Sequence, residues 1–180
     1  MTILAVSGSL RADSHNTSLL RAAAEAAPEG VEVELFDPVL IADLPLYDQD
    51  LDDDEDLPRS VRRLREDWDA ADAILFATPE YNGSIPGGLK NAIDWASRPK
   101  GAAALTNKTV AVVGASTGQF GALWAQQDLR RVLGIAGARV VGEELPGPKA
   151  HEGFDEVLRG RLRQAVDTLI VAAQPFEIAA

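Results

Sequence analysis

Three short stretches hold most of the side chains suited to gripping a small ligand: Ser7–Ser18 (SGSLRADSHNTS), Thr78–Gly88 (TPEYNGSIPGG) and Gly114–Trp124 (GASTGQFGALW). The first brings Ser9, Arg11, Ser14, Asn16 and Thr17 to what reads as the start of a helix. Free backbone amides and the helix dipole favour an anion there. Ser9, Ser14 and Thr17 can donate to a phosphate, and Arg11 can neutralise it through a forked contact. The competing structural reading is N-capping by Ser14, Asn16 or Thr17. One glycine is too few for a dinucleotide fingerprint, and no Gly-Lys-Ser/Thr follows to make a P-loop.

In the second stretch Pro79 ends a strand by fixing φ and removing a donor. Asn82-Gly83 is a strong turn dipeptide, and Pro86 suits the opening of the next helix. Such a turn aligns backbone donors and acceptors with the edge of a planar heterocycle, while Tyr81 or Ile85 covers part of a face. A plain strand–turn–helix connection explains the glycines and prolines but leaves Tyr81 stranded. The third stretch contains Gly114, Ser116 and Gly118, formally the G-x-S-x-G of a nucleophile elbow. A hydrolase would pair Ser116 with His151, the sole histidine after it, and with Asp128 as one candidate acid. No HGGG-type oxyanion segment is present. In the alternative, the small residues of this loop let a ring lie close to the backbone.

The elements that must position these loops follow from periodicity. All-apolar runs at Ile3–Gly8, Ala73–Thr78 and Thr109–Ala115 read as buried parallel strands. Val31–Phe36 alternates apolar with acidic residues, as a strand near a sheet edge does, and Ala138–Gly142 reads as a fifth strand. Helical spacing predicts helices over Thr17–Ala27, Leu57–Ala71, Pro86–Ser97, Ala122–Leu133 and Glu152–Ala173. The segment from Asp37 to Asp56 reads as a long loop, with Asp56 a candidate cap before Pro58. Alternating strands and helices predict one doubly wound α/β domain over residues 1–180. In such sheets ligands lie beyond the carboxyl ends of the strands, where all three stretches fall.

Composition narrows the function classes. A formal net charge of −11 opposes binding to nucleic acid. The absence of cysteine removes disulfides, iron–sulfur clusters and thiol chemistry, and two histidines make a His-rich metal site unexpected. The acid run Asp48–Asp56 reads as a solvated loop rather than a cation site. No apolar run approaches the roughly 20 residues a membrane helix needs, and the N-terminus enters a strand pattern without a basic leader, so a cytoplasmic protein is expected.

With these loops in hand, the chain resembles the NADPH-dependent FMN reductase family, the flavodoxin-like group that includes bacterial chromate, quinone and azo-dye reductases. The matching segments are Gly8–Asn16, Thr78–Trp95 and the Ser116 loop, in the family's order and spacing. The resemblance implies a flavodoxin-like five-stranded parallel sheet of order 2-1-3-4-5 with helices on both faces. It implies bound FMN, with Ser9, Arg11, Ser14 and Asn16 on the phosphate. Pro79, Glu80, Tyr81, Asn82 and Gly83 would line the isoalloxazine, and Ser116 would approach it from the third loop. It further implies NAD(P)H as co-substrate, hydride passed to flavin N5, ping-pong reduction of a second small-molecule acceptor, and a homodimer or homotetramer. The helix bearing Leu89, Ile93 and Trp95 is either an intersubunit face or intramolecular core. No side chain is expected to act as a catalytic acid or base. The segment after Ser116, QFGALWAQQDLRR, departs from the chromate-reductase branch. A flavodoxin-like electron carrier is the alternative within the same fold, and Arg98 and Lys100 are candidate contacts for a nucleotide 2′-phosphate.

Overall fold

The computed structural model describes residues 1–53 and 56–174. Its sheet contains β1 (Thr2–Ser7), β2 (Glu32–Leu35), β3 (Ala73–Thr78), β4 (Thr109–Ala115), β5 (Arg139–Val140) and β6 (Leu145–Gly147). The helices are α1 (His15–Glu25), α2 (Pro38–Ala42), α3 (Arg59–Ala70), α4 (Gly87–Ala96), α5 (Leu123–Ile135) and α6 (Glu156–Ala173). All strand pairings are parallel, and the main order is β2-β1-β3-β4-β5, as the resemblance implied. The strand β6 was not anticipated, because its region reads as a proline-rich loop. It pairs with the upper part of β4 through Val113↔Leu145 and Ala115↔Gly147, while β5 pairs lower down through Thr109↔Arg139. Three residues are too few to show a period in sequence.

Period-two alternation along the inner strands feeds two separate cores. Leu4, Val6, Ile74, Phe76, Val110 and Val112 face α3, α4 and α5. Ile3, Ala5, Leu75, Ala77, Ala111 and Val113 face α1 and α6. Every residue of β3 and β4 is buried, as strands covered on both faces must be. The edge strand β2 is mostly exposed. Trp68 is fully buried, edge-on to Phe36 and Phe76, and its indole N–H has no hydrogen-bond partner among the described residues.

Several expectations require correction. Leu89, Ile93 and Trp95 lie in the intramolecular core, at 0%, 1% and 0% exposure, so they cannot form an intersubunit face. Trp95 also donates its indole N–H to the Pro45 carbonyl at 2.8 Å and meets Tyr47 edge-on. The segment from Asp37 onward is not a plain loop: Asp37 caps the Val39 amide and starts α2. Asp56 does not cap α3, whose N-cap is Pro58 with no side-chain bond. The acid run is tied down locally, with Asp48 capping the Asp50 amide and Asp52 paired to Arg65 at 2.7 Å. Positions 54 and 55 of that run fall outside the described residues. The helix α5 runs through Gly134 to Ile135, and α6 starts four residues later than predicted, where Asp155 accepts from the Leu158 amide.

Candidate functional site: three loops at the carboxyl edge of the sheet

The loops after β1, β3 and β4 emerge side by side because β1, β3 and β4 are neighbours in the sheet. The first leaves β1 through Gly8, whose amide donates to the Ala77 carbonyl at 2.8 Å. A Cβ at Gly8 would lie 2.8 Å from Leu89 Cδ2, so a larger residue there would require the Leu89 side chain to shift. Ser7 and Ser9 are buried, and the Thr17 hydroxyl donates to Ser7 Oγ at 3.0 Å. Ser14 is the N-cap of α1 and accepts from the Thr17 amide at 3.2 Å. The Arg11 side chain is exposed and donates to the Asp13 carbonyl. The amides of the first turn of α1 have no acceptor within the helix, and hydroxyls and a guanidinium surround them.

Asn16 plays a different part. It is buried at 3% exposure, and its amide makes a two-point contact with the Ala115 backbone. Nδ2 donates to the carbonyl at 3.0 Å and Oδ1 accepts from the amide at 2.9 Å. The side chain thereby staples the start of α1 to the end of β4.

The second loop follows Thr78, where Pro79 ends β3 as expected. Tyr81 and Ser84 exchange two backbone bonds, at 3.0 and 3.2 Å, around Asn82 (φ 54°) and Gly83 (φ 76°). Positive φ at both central residues marks a type I′ turn, which the Asn-Gly pair favours. Tyr81, Asn82 and Gly83 are exposed, with Tyr81 at 52%. Pro86 is the N-cap of α4 without a side-chain bond, which leaves the amides of Gly87 and Gly88 open to a ligand. The Glu80 carboxylate turns away toward α5, accepting from the amides of Trp124 and Ala125 at 3.0 and 3.2 Å.

The third loop is held from both sides. Ser116 donates its amide to the Gly147 carbonyl at 3.1 Å, and its own carbonyl accepts from Ala150 at 3.0 Å. Gly121 has φ 56°, and a Cβ there would lie 2.6 Å from the Gly147 and Pro148 nitrogens. Gln126, fully buried, accepts from the Leu145 amide at 2.8 Å and donates to the Gly121 carbonyl at 3.2 Å. Phe120 and Trp124 stay about half exposed with ring centroids 4.9 Å apart.

The hydrolase geometry is not assembled. Asp128 accepts from Ser84 Oγ at 2.7 Å and lies 3.6 Å from Arg131. His151 Nε2 faces Glu152 at 3.8 Å. Neither contact joins Ser116 to a base. Arg98 and Lys100 follow the far end of α4, about 15 Å along the helix from the Tyr81 turn, and Arg98 donates to the Tyr47 hydroxyl at 3.2 Å. A groove of ≈ 990 Å³ runs along β2 and α3, lined by Phe36, Arg59, Arg63 and Asp67, and receives nothing from the three loops.

Residues 1–152 match the family model described as NADPH-dependent FMN reductase. The chain belongs to that family. It is 40% identical to an NAD(P)H-dependent FMN reductase of Pseudomonas aeruginosa, over 96% of this chain and 92% of that one. A 2-hydroxy-1,4-benzoquinone reductase of a Burkholderia species is 46% identical over 73% of this chain and 69% of its own. Among solved structures, the flavoenzyme NAD(P)H:(acceptor) oxidoreductase FerB of Paracoccus denitrificans superposes with a TM-score of 0.80. It is 35% identical, and the superposition covers 95% of this chain and 98% of that one.

As a member of the FMN reductase family the chain is an oxidoreductase that uses FMN and NAD(P)H. The donor set fits such a cofactor. Hydroxyls, a cation and open helix amides at α1 match a phosphate, and exposed backbone at Tyr81–Gly83 matches a planar edge. A Cβ placed on Gly83 or Gly87 would meet nothing within 4 Å, so this surface is uncovered. Among the described residues, no helix is long and apolar enough to cross a membrane.

Sequence reasoning missed two parts of the site, Gln126 and the turn of Glu80 onto α5. A signal existed for the latter. The segment before α5, Gly118–Ala122, offers no Ser, Thr, Asp or Asn at the N-cap, so its amides had to be satisfied from elsewhere.

Proposed function

We propose that the chain holds FMN across the three loops and runs a ping-pong cycle, oxidising NAD(P)H and then reducing a quinone, flavin, azo compound or metal oxyanion at the same place. Bound FMN supplies the hydride chemistry. The protein's task is to bind, orient and shield. The α1 N-terminus with Ser9, Arg11, Ser14 and Thr17 grips the phosphate. Pro79, Tyr81, Asn82 and Gly83 present backbone to the ring edge, and the Ser116 loop closes the other side. Backbone amides at this edge stabilise negative charge gained on reduction. Asn16 contributes by fixing α1 against β4 rather than by reaching outward. No side chain is assigned as catalytic acid or base.

The observation that supports this reading is the convergence of the α1 N-terminus, with its hydroxyls and exposed Arg11, and an exposed Tyr-Asn-Gly turn on one edge of the sheet. A cytoplasmic homodimer or homotetramer completes the proposal. Purified protein should be yellow and release FMN on denaturation. Anaerobic mixing with NADH and with NADPH should bleach it within turnover times, and the faster of the two names the preferred nucleotide. A flavin that stays oxidised would make the chain a carrier, and a colourless protein that refuses added FMN would refute the reading.

A further inference from the structure

Both ends of the Tyr81 turn are anchored on the same helix. Ahead of the turn, Glu80 Oε2 accepts from the Trp124 and Ala125 amides in the first turn of α5. Behind it, Ser84 Oγ donates to Asp128 Oδ2 at 2.7 Å, one turn further along. The two anchors are 44 or 45 residues from their partners in sequence, and they are four residues apart in the loop as Trp124 and Asp128 are on α5. Between them, among the described residues, the turn is closed by its own two backbone bonds, Tyr81 to Ser84 and back.

The helix α5 has no cap of its own. Its N-cap is Ala122, in the left-handed region at φ 63°, with no side-chain bond. Glu80 supplies the missing acceptor from the loop after β3 and also sets a negative charge at the positive end of the helix dipole. This has a second effect. At α5 Glu80 takes the Trp124 and Ala125 amides, whereas at α1 the Ser14 cap takes the Thr17 amide, the two amides before it have no acceptor within the helix, and Arg11 stays exposed. Two helix starts lie at this edge of the sheet, and Glu80 occupies one of them.

We infer that Glu80 is a positioning residue: its carboxylate clasps the Tyr81 turn to α5, holding the turn's backbone where it meets the flavin and reserving the α1 N-terminus for the phosphate. The inference rests on the flavin reading above. Ser84 and Asp128 form the second half of the clasp, so the effects of the two halves should be coupled.

The test uses the 180-residue apoprotein. FMN affinity is titrated by flavin fluorescence, and amide exchange at Trp124 and Ala125 is followed without cofactor. E80A should speed exchange at both amides about tenfold and weaken FMN binding about tenfold, the scale of two bonds to a charged acceptor. E80Q retains an acceptor oxygen and should recover most of the affinity, within about threefold of the original chain. S84A should weaken binding by about threefold, and E80A/S84A should lose less than the product of the single effects. Rescue by glutamine separates clasping from mere folding, and S84A serves if E80A fails to fold. Faster exchange in E80A with unchanged FMN affinity would overturn the inference, leaving a cap with no bearing on the site. Unchanged exchange would show that the clasp does not form. Failure of the unsubstituted chain to bind FMN would instead refute the flavin reading, a result distinct from either.

Discussion

Replacing Asn16 with alanine separates two roles that its position allows. The structure gives Asn16 two bonds to Ala115, at 3.0 and 2.9 Å, in a setting only 3% exposed. Alanine removes both and strands a buried N–H and a buried C=O. At about 1–3 kcal/mol for each orphaned group, and with some relaxation of the chain, a loss of about 2–4 kcal/mol is expected. For a domain of this size that is a fall in Tm of about 5–15 °C. The assay is urea unfolding of the apoprotein, with the m-value held as a check that the unfolded state is unchanged. N16D sharpens the reasoning. A carboxylate there accepts from the Ala115 amide but opposes its carbonyl, and burial raises the pKa of such a group. A raised folded pKa means that its stability is present at low pH and lost as pH rises through that value. N16D should therefore approach the parent chain on mild acidification and fall away from it toward neutral pH. If N16A apoprotein unfolds within about 0.5 kcal/mol of the parent while FMN binding drops, Asn16 works on the phosphate and the staple is incidental.

Three further outcomes follow from other contacts. G121A forces a Cβ to 2.6 Å from the Gly147 and Pro148 nitrogens at φ 56°, so a loss of about 2 kcal/mol or more is expected in urea unfolding; an unchanged midpoint would mean the 147–148 segment yields freely. R11A should weaken FMN binding about tenfold and flatten its salt dependence, because an exposed guanidinium acts through a screened charge; a titration at two ionic strengths decides it. Lys108 donates to the Asp69 and Ala71 carbonyls at the end of α3, at 2.8 and 2.5 Å, while burial lowers its pKa below the ordinary 10.5. K108M should cost about 1 kcal/mol at neutral pH. Between the lowered value and 10.5 the unfolded chain holds more protons, so stability from this lysine rises with pH there; the gap between parent and K108M, measured by urea unfolding across that range, should widen.

Much of the architecture was legible because the signals were local and long. The runs Ala73–Thr78 and Thr109–Ala115 are wholly apolar and became wholly buried strands with the expected bounds. Asn82-Gly83 is a turn dipeptide with its own conformational preference and took positive φ at both positions. Ser14 before a helical period became the cap it resembled. What escaped was short or remote. The strand β6 is three residues that exist only because β4 offers an edge beside them. Leu89, Ile93 and Trp95 form an apolar stripe that would suit either an interface or a core, and the sheet and the 45–47 segment covered it.

The order of residues alone settled the fold class, the three loops and the family, since each depends on neighbours within a few positions along the chain. Which polar groups face outward was decided by tertiary structure. Asn16, Glu80 and Gln126 each look free in one dimension, yet each is claimed by backbone that lies from 5 to 99 residues away. The physical reason is that backbone N–H and C=O groups seek partners wherever the chain brings them, a demand that is strictest where they are buried, as at Asn16 and Gln126. That demand is met in space and leaves no mark on the local sequence, so a side chain's chemistry names what it can do and its surroundings choose among those uses.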